Sequence, residues 1–144
     1  MSFMWIAIDP GAKGGIAIGT DPVQVYNMPK TPTDIFALLD NISTEKCKIL
    51  IEKTGTYRPG NSGPSAVKFG RHCGVLEGIC IGLRVPFYSV PPGKWMKSLG
   101  SLPKEKGDRK RSIKEEMQRR FPHLKVTLVN ADALGLLTYA QNYL

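Results

Sequence analysis

The chain opens on an uninterrupted apolar run, Phe3-Met4-Trp5-Ile6-Ala7-Ile8, which stops abruptly at Asp9-Pro10-Gly11. A run of this length closed by turn residues predicts a strand covered on both faces. Gly14 to Gly19 is a second such run, and Asp21-Pro22 marks a turn. Val23 to Met28 alternates apolar and polar positions as a third strand would. Short connections make these three an antiparallel meander. Thr33 is read as the cap of a helix over 34–40, with Asp34 in its favoured first turn. Lys48-Ile49-Leu50-Ile51 is a fourth strand, ending at Glu52.

From 53 to 63 the composition turns to Thr, Gly, Arg, Pro, Asn and Ser, which predicts a loop. A long helix follows over about 64–83, with Pro64 acceptable in its first turn. Its glycines, Gly70, Gly74, Gly78 and Gly82, recur every four residues and line one side. Each costs helix stability, so the strip implies close backbone approach: tight packing on the sheet, or a seam between two copies of the helix. Tight packing is the expectation taken here. Pro86 to Val90 is a fifth strand, Trp95 to Leu99 a helical turn, and 100–108 a Lys-rich loop. A basic helix over 112–121 ends at Pro122, and Asn130 caps a last helix with Asp132 in its first turn. The order is that of a mixed α/β domain with a hairpin-rich start.

Length then bounds the picture: 144 residues fit one domain, 1–144, with a genuine core. Hydrophobic residues are 42% and charged residues 22% of the chain, so the informative quantity is the imbalance of 20 Lys and Arg against 12 Asp and Glu. A formal charge of +8 makes a polyanion the default partner, and nucleic acid the first candidate. Lys94 to Lys125 alone holds eleven Lys and Arg against four acids, a net of seven positive charges. That concentration marks a phosphate-positioning surface, which gives affinity without sequence reading. Cys47, Cys73 and Cys80 have no C-x-x-C spacing, so neither a disulfide framework nor a zinc site is expected. No apolar run is long enough to span a bilayer, and the expectation is a cytoplasmic protein with no membrane partner. His72 and His123 are isolated and receive no catalytic or metal role.

Two carboxylates, Asp9 and Glu52, stand at the ends of core strands, and Asp132 opens the final helix. Acids placed at a sheet's rim by rigid strands repel one another unless a cation sits between them, which points to Mg²⁺ or Mn²⁺. Two such ions, ~4 Å apart, clamp a scissile phosphate, one activating water and the other stabilising the leaving oxygen. Each acid also has a plain structural role open to it: Asp9 as a turn residue, Glu52 as a surface acid paired with Lys53, Asp132 as a partner of the helix dipole. Spacing alone does not show that the three converge.

The segment Ile6-Ala-Ile-Asp9-Pro-Gly-Ala-Lys-Gly-Gly-Ile-Ala-Ile18 resembles the opening strand and hairpin of RuvC-type Holliday junction resolvases. Ile49-Leu-Ile-Glu52 resembles their second acidic motif, and Ser65 to Gly78 the helix after it, particularly in phage-type members. Val90-Pro-Pro-Gly-Lys-Trp95-Met-Lys97, then Gly107 to Ser112, then Asn130-Ala-Asp132-Ala-Leu follow in family order. The resemblance runs over nearly the whole chain. It implies an RNase H-like sheet of three antiparallel N-terminal strands and then two parallel ones. It also implies a homodimer, divalent metal and paired nicks in four-way DNA. Carried over, Asp9, Glu52 and Asp132 are the metal-binding acids, and Lys97 is a basic residue near the scissile strand. Lys110 lies in a second basic stretch, with Arg109 and Arg111 beside it; Lys53 and Lys94 complete the DNA contacts. Tyr57 and Arg58, in the loop that probes a junction centre, are candidates for stacking on opened bases. A phage-encoded protein acting in a bacterial host is one setting consistent with this.

The family usually carries a further acid shortly before the position of Asp132, where this chain reads Thr127-Leu-Val-Asn130-Ala131. Asn130 is a neutral oxygen donor at best there, and Asp108 is a distant candidate. This departure keeps a non-catalytic binder of branched DNA open as an alternative. An RNase H-type or YqgF-like ribonuclease is another. Asp9-x-Gly11 with Gly14 and Gly15 also resembles the first phosphate loop of actin-like ATPases and sugar kinases, but those need two lobes, and this chain is too short.

Overall fold

Two strands repeat the triplet Ile-Ala-Ile, and the sheet is organised around that repetition. In the computed structural model, which describes residues 3–54 and 62–144, β1 (Met4–Asp9) pairs antiparallel with β2 (Gly15–Ile18), setting Ile6 against Ile18, Ala7 against Ala17 and Ile8 against Ile16. Side chains alternate across a strand, so both triplets put isoleucine on one face and alanine on the other. β3 (Gln24–Asn27) continues the antiparallel meander, and β4 (Cys47–Glu52) and β5 (Phe87–Val90) join parallel to β1. The order is β3-β2-β1-β4-β5, three antiparallel strands and then two parallel ones, as the sequence predicts.

The bulky face buries Ile6, Ile8, Ile16, Ile18, Ile49 and Ile51 under α1 (Pro32–Ile42) and α2 (Gly63–Leu83). Full burial of each such side chain contributes about 1.5–3 kcal/mol. The small face presents Ala7, Ala17, Gly15 and Gly19 to α5 (Ala131–Tyr143). A Cβ on Gly15 would sit 3.5 Å from Ala133 Cβ, and one on Gly19 3.5 Å from Leu137 Cδ1. The helix therefore lies close on the sheet. α5 is buried nearly all round, from Ala131 and Ala133 through Ala140, as a helix apolar on every side must be. Its outer flank is covered by α3 (Pro92–Lys97) through Trp95 and by α4 (Lys106–Arg120) through Ile113 and Met117.

Several boundaries differ from the sequence reading. α1 starts two residues earlier than expected, because Thr31 and not Thr33 is its cap; the Thr31 hydroxyl accepts from the Asp34 amide at 3.1 Å. α4 starts at Lys106, inside the stretch read as a loop over 100–108. The cause is Glu105, whose carboxylate accepts from the Gly107 and Asp108 amides at 3.0 and 2.6 Å and satisfies two donors that a helix start leaves open. The glycine strip of α2 does not reflect packing on the sheet: a Cβ at Gly74, Gly78 or Gly82 meets nothing within 4 Å. The strip faces outward, with Val67 and Ile81 exposed on the same helix at 72% and 66%. Cys47 and Cys80 are buried core thiols and Cys73 is half-buried; all three are free.

Enlarging the small face should be costly in a way that enlarging the outer strip is not. Ala17→Leu should lose about 1–3 kcal/mol by overpacking against α5. Gly74→Ala should leave the isolated chain equally stable or up to ~1 kcal/mol more stable. Urea unfolding of the two variants beside the parent chain checks both, and equal losses would contradict this account of the two faces.

Candidate active site

β1 and β4 are parallel neighbours with Ile8 set against Ile51, and the next residue of each is an acid, Asp9 and Glu52. Because Ile8 and Ile51 belong to the bulky face, alternation turns Asp9 and Glu52 toward the small face and α5. Asp9 also pairs in register with Gly15 on β2, and the position of a Gly15 Cβ lies 3.7 Å from the Asn130 Cα. The start of α5, and with it Asp132, is thereby brought to the corner of the sheet that holds Asp9 and Glu52. The turn after Asp9 needs glycine twice. Gly11 has φ +114°, and a Cβ on Gly14 would fall 1.9 Å from the Asp9 carbonyl oxygen.

Glu52 is not a surface acid paired with Lys53. It is 8% exposed, and Trp95 Nε1–H donates to its Oε2 at 2.7 Å. Trp95 is fully buried, and its ring lies where a Cβ on Gly135 of α5 would be, 2.5 Å from Cζ3. One indole thus packs on α5 with its face and orients Glu52 with its edge. The sequence reading treated Trp95 only as the start of a helical turn; the available signal was a Trp five residues past a strand end, on a helix flanked by prolines, with a glycine in the last helix to receive it.

Asp132 is largely buried, and this burial pushes its carboxyl above the ordinary aspartate range. The nearby Lys110 and Arg109 charges pull the other way. Asn130 does not cap α5 with its side chain. Instead its Oδ1 accepts from the Thr127 amide at 2.8 Å, the Thr127 hydroxyl accepts from the Asn130 amide at 3.2 Å, and Asn130 Nδ2 donates to the Lys125 carbonyl at 3.1 Å. The amide is committed to the preceding loop, which accounts for it without a place among the acids. Asp108 is exposed in the first turn of α4 and ion-paired to Arg111.

The cations divide into two groups. Lys53, Lys94, Lys97 and Lys110 are exposed: Lys53 follows Glu52 directly, Lys94 and Lys97 flank Trp95 on α3, and Lys110 acts electrostatically on Asp132. Arg109 donates to the Lys104 carbonyl at 3.0 Å and Arg111 pairs with Asp108, so both are partly engaged within the chain. Tyr57 and Arg58 lie outside the described residues. Among the described residues no three His, Cys, Asp or Glu side chains are gathered closely enough to hold one ion between them. The donor set at the corner is nonetheless all oxygen. It suits Mg²⁺, which keeps several waters and takes one or two carboxylates together with substrate phosphate.

Two measurements follow from this geometry. Trp95→Phe keeps a ring over Gly135 but removes the indole N–H that donates to the buried Glu52 carboxylate, and should cost about 1–3 kcal/mol in urea unfolding. Asp132 sets a pH dependence. With its folded pKa raised, the folded chain holds more protons than the unfolded one between the ordinary aspartate value and the raised one, so stability falls as pH rises through that window. Asp132→Asn removes this loss. It should be more stable than the parent chain at neutral pH in metal-free buffer, with the gain shrinking below about pH 4, where the parent carboxyl is protonated in either state. A gain that persists unchanged into acid would contradict the assignment.

No protein-family model matches the chain, and no curated protein matches it in sequence. Solved structures do match. Thermus thermophilus RuvC in complex with a Holliday junction substrate superposes with a TM-score of 0.61 at 17% identity, over 96% of this chain and 95% of that one. A second Thermus thermophilus RuvC structure gives 0.60 and 17%, over 96% of each chain. With the sheet order and register above, this places the chain in the RNase H-like fold, in the form taken by RuvC.

Proposed function

We propose that the protein is a structure-selective DNA endonuclease that makes paired nicks in four-way or branched DNA by metal-assisted phosphodiester hydrolysis. One arrangement carries the reading: Asp9 and Glu52 end neighbouring parallel strands on the small face and Asp132 opens the helix packed on that face, while Lys53 follows Glu52, Lys94 and Lys97 flank its donor Trp95, and Lys110 acts on Asp132, all four lysines exposed. Acids with no cationic surroundings would repel DNA, and a cationic surface with no acids would only bind it. The fold shared with a RuvC that has been solved on a Holliday junction substrate supports the same substrate class.

In this reading Asp9 and Glu52, on rigid strand ends, are the principal metal-holding groups, and Asp132 approaches from α5. Bound Mg²⁺, or Mn²⁺ in its place, as a pair of ions, would supply an activated water and a counter-charge for the leaving oxygen. Trp95 fixes the Glu52 carboxylate so that it does not have to be ordered when substrate arrives. Lys97 and Lys110 neutralise phosphates beside the scissile one, and Lys53 and Lys94 hold the flanking strand. Paired nicks require two such corners, and the outward Gly74, Gly78 and Gly82 strip with Val67 and Ile81 is the proposed seam between two copies. Small residues at such spacing let helix backbones approach closely.

A non-catalytic binder is the second reading, favoured by Asn130 standing where a further acid is usual and being held to its own loop. End-labelled four-way junctions, matched linear duplexes and RNA–DNA hybrids, incubated with Mg²⁺ or Mn²⁺, separate these. The expected result is symmetrical nicking of junctions, lowered at least ~100-fold in Asp9→Asn and Asp132→Asn, by a species sedimenting at twice 15.9 kDa. Junction binding should survive both substitutions and weaken steeply with added salt. Binding without cutting would sustain the binder, and cutting confined to RNA-containing strands would make the chain a ribonuclease.

A further inference from the structure

A cavity of about 630 Å³ opens on the opposite face of the sheet from the acids, between α1, α2 and the turn that follows Asp9. Its volume is that of a small-molecule site. The floor is apolar, with Ile35, Phe69 and Val75 among its lining, while Lys30, Lys68 and Arg71 stand exposed around it and no acid lines it. Gly11 and Ala12 form one wall, and the Phe69 ring edge lies 3.7 Å from where a Cβ on Gly11 would be. His72 also lines the cavity, and its Nε2 is shielded from solvent with no hydrogen-bond partner among the described residues. A shielded polar atom with no partner among the described residues is a rare feature in a folded chain. It identifies a group that a ligand can satisfy.

From these features we infer that the cavity receives a single unstacked nucleotide, its base against Phe69 and Val75, its phosphate among Lys30, Lys68 and Arg71, and its base edge hydrogen-bonded to His72. A flat aromatic base fits an apolar floor that bare phosphate does not need. Burial lowers the His72 pKa, so near neutral pH the ring is uncharged, with one nitrogen donating and the other accepting. That state suits the mixed edge of a base better than an anion. Gly11, in the wall, belongs to the turn that follows Asp9, so an occupied cavity is linked through that turn to the strand end that carries the acid on the other face of the sheet. That source, a strand of bound branched DNA, rests on the function proposed above. The cavity's chemistry does not, and a free deoxynucleoside monophosphate would satisfy it equally.

The test is the imidazole NMR signals of His72 in the full chain without divalent metal, with exposed His123 as internal reference. dAMP and dTMP should shift the His72 signals saturably and leave those of His123 in place. 2-Deoxyribose 5-phosphate and inorganic phosphate at equal concentration should not. Val75→Trp, which fills the cavity, should weaken dAMP binding at least tenfold. Inorganic phosphate reproducing the shift would make the cavity an anion site. A His72 shift on diluting the protein alone would make it a contact between copies. Silence with both nucleotides and with a four-way junction, or undiminished dAMP binding in Val75→Trp, would remove the base site. Each of these four results overturns the inference. A His72 response in a protein that never nicks DNA would leave the cavity standing while the endonuclease reading falls. Nicking by a protein whose His72 stays silent would do the reverse.

Discussion

The distance between α5 and the sheet is the quantity on which the rest of the molecule depends. Ala7, Ala17, Gly15 and Gly19 leave that face of β1 and β2 nearly smooth, so a helix carrying Ala131, Ala133 and Leu137 settles close on it. Had the Ile-Ala-Ile triplets been in the opposite register, the isoleucines would have held α5 away. Asp132 would then have been displaced from Asp9. A one-residue shift in a strand exchanges its faces completely, so the same alternation that builds the core also determines which side the strand-end acids take. Core and site are one pattern here.

Taking carboxylates out of water is unfavourable by itself, and the surroundings of Glu52 and Asp132 show what offsets it. Glu52 is buried but receives a donor from an indole that is itself clamped on α5 at Gly135. Asp132 is partly buried and feels the positive ends of Lys110 and Arg109 from the start of α4. The loop before α5 is tied by Asn130 to Thr127 and Lys125, so the helix enters at a fixed place. Every one of these supports comes from Trp95 or beyond, while Asp9 and Glu52 come from the N-terminal part. The candidate site is thus a contact between two parts of the chain that are distant in sequence.

Much of this was legible in the residues. Apolar runs ending in an acid located β1 and β4 and the two strand-end carboxylates, and the order of elements together with a family resemblance gave the sheet. What was not legible depends on groups distant in sequence. The start of α4 turned on the carboxylate of Glu105, which looks like any loop acid until its amide partners are known. Asn130 stands at the position of a helix cap, yet its side chain finds better partners in the loop behind it. Glu52 beside Lys53 reads as a surface pair; its true partner is 43 residues away. The glycines of α2 show the reverse error. Their spacing suggests tight packing on the sheet, yet in the folded chain no described residue lies against Gly74, Gly78 or Gly82.

The distribution of charge follows from the same layering. Asp9 and Glu52 turn toward the small face, where α5 and Trp95 cover the sheet and electrostatic interactions are less screened by water. Lys94, Lys97 and Lys110 stand on exposed positions of α3 and α4, which cover the outer flank of α5. Pairing is local to α4, where Asp108 takes Arg111 and Glu116 takes Arg119 and Arg120. Exposed pairs of this kind contribute little to stability, and their consequence is selective. They mute the arginines of one helix and leave the lysines nearest the carboxylates as the cations presented to a polyanion. A chain with this excess of positive charge could have scattered it evenly; packing α3 and α4 against the helix that carries Asp132 concentrates it at the rim of the acidic corner.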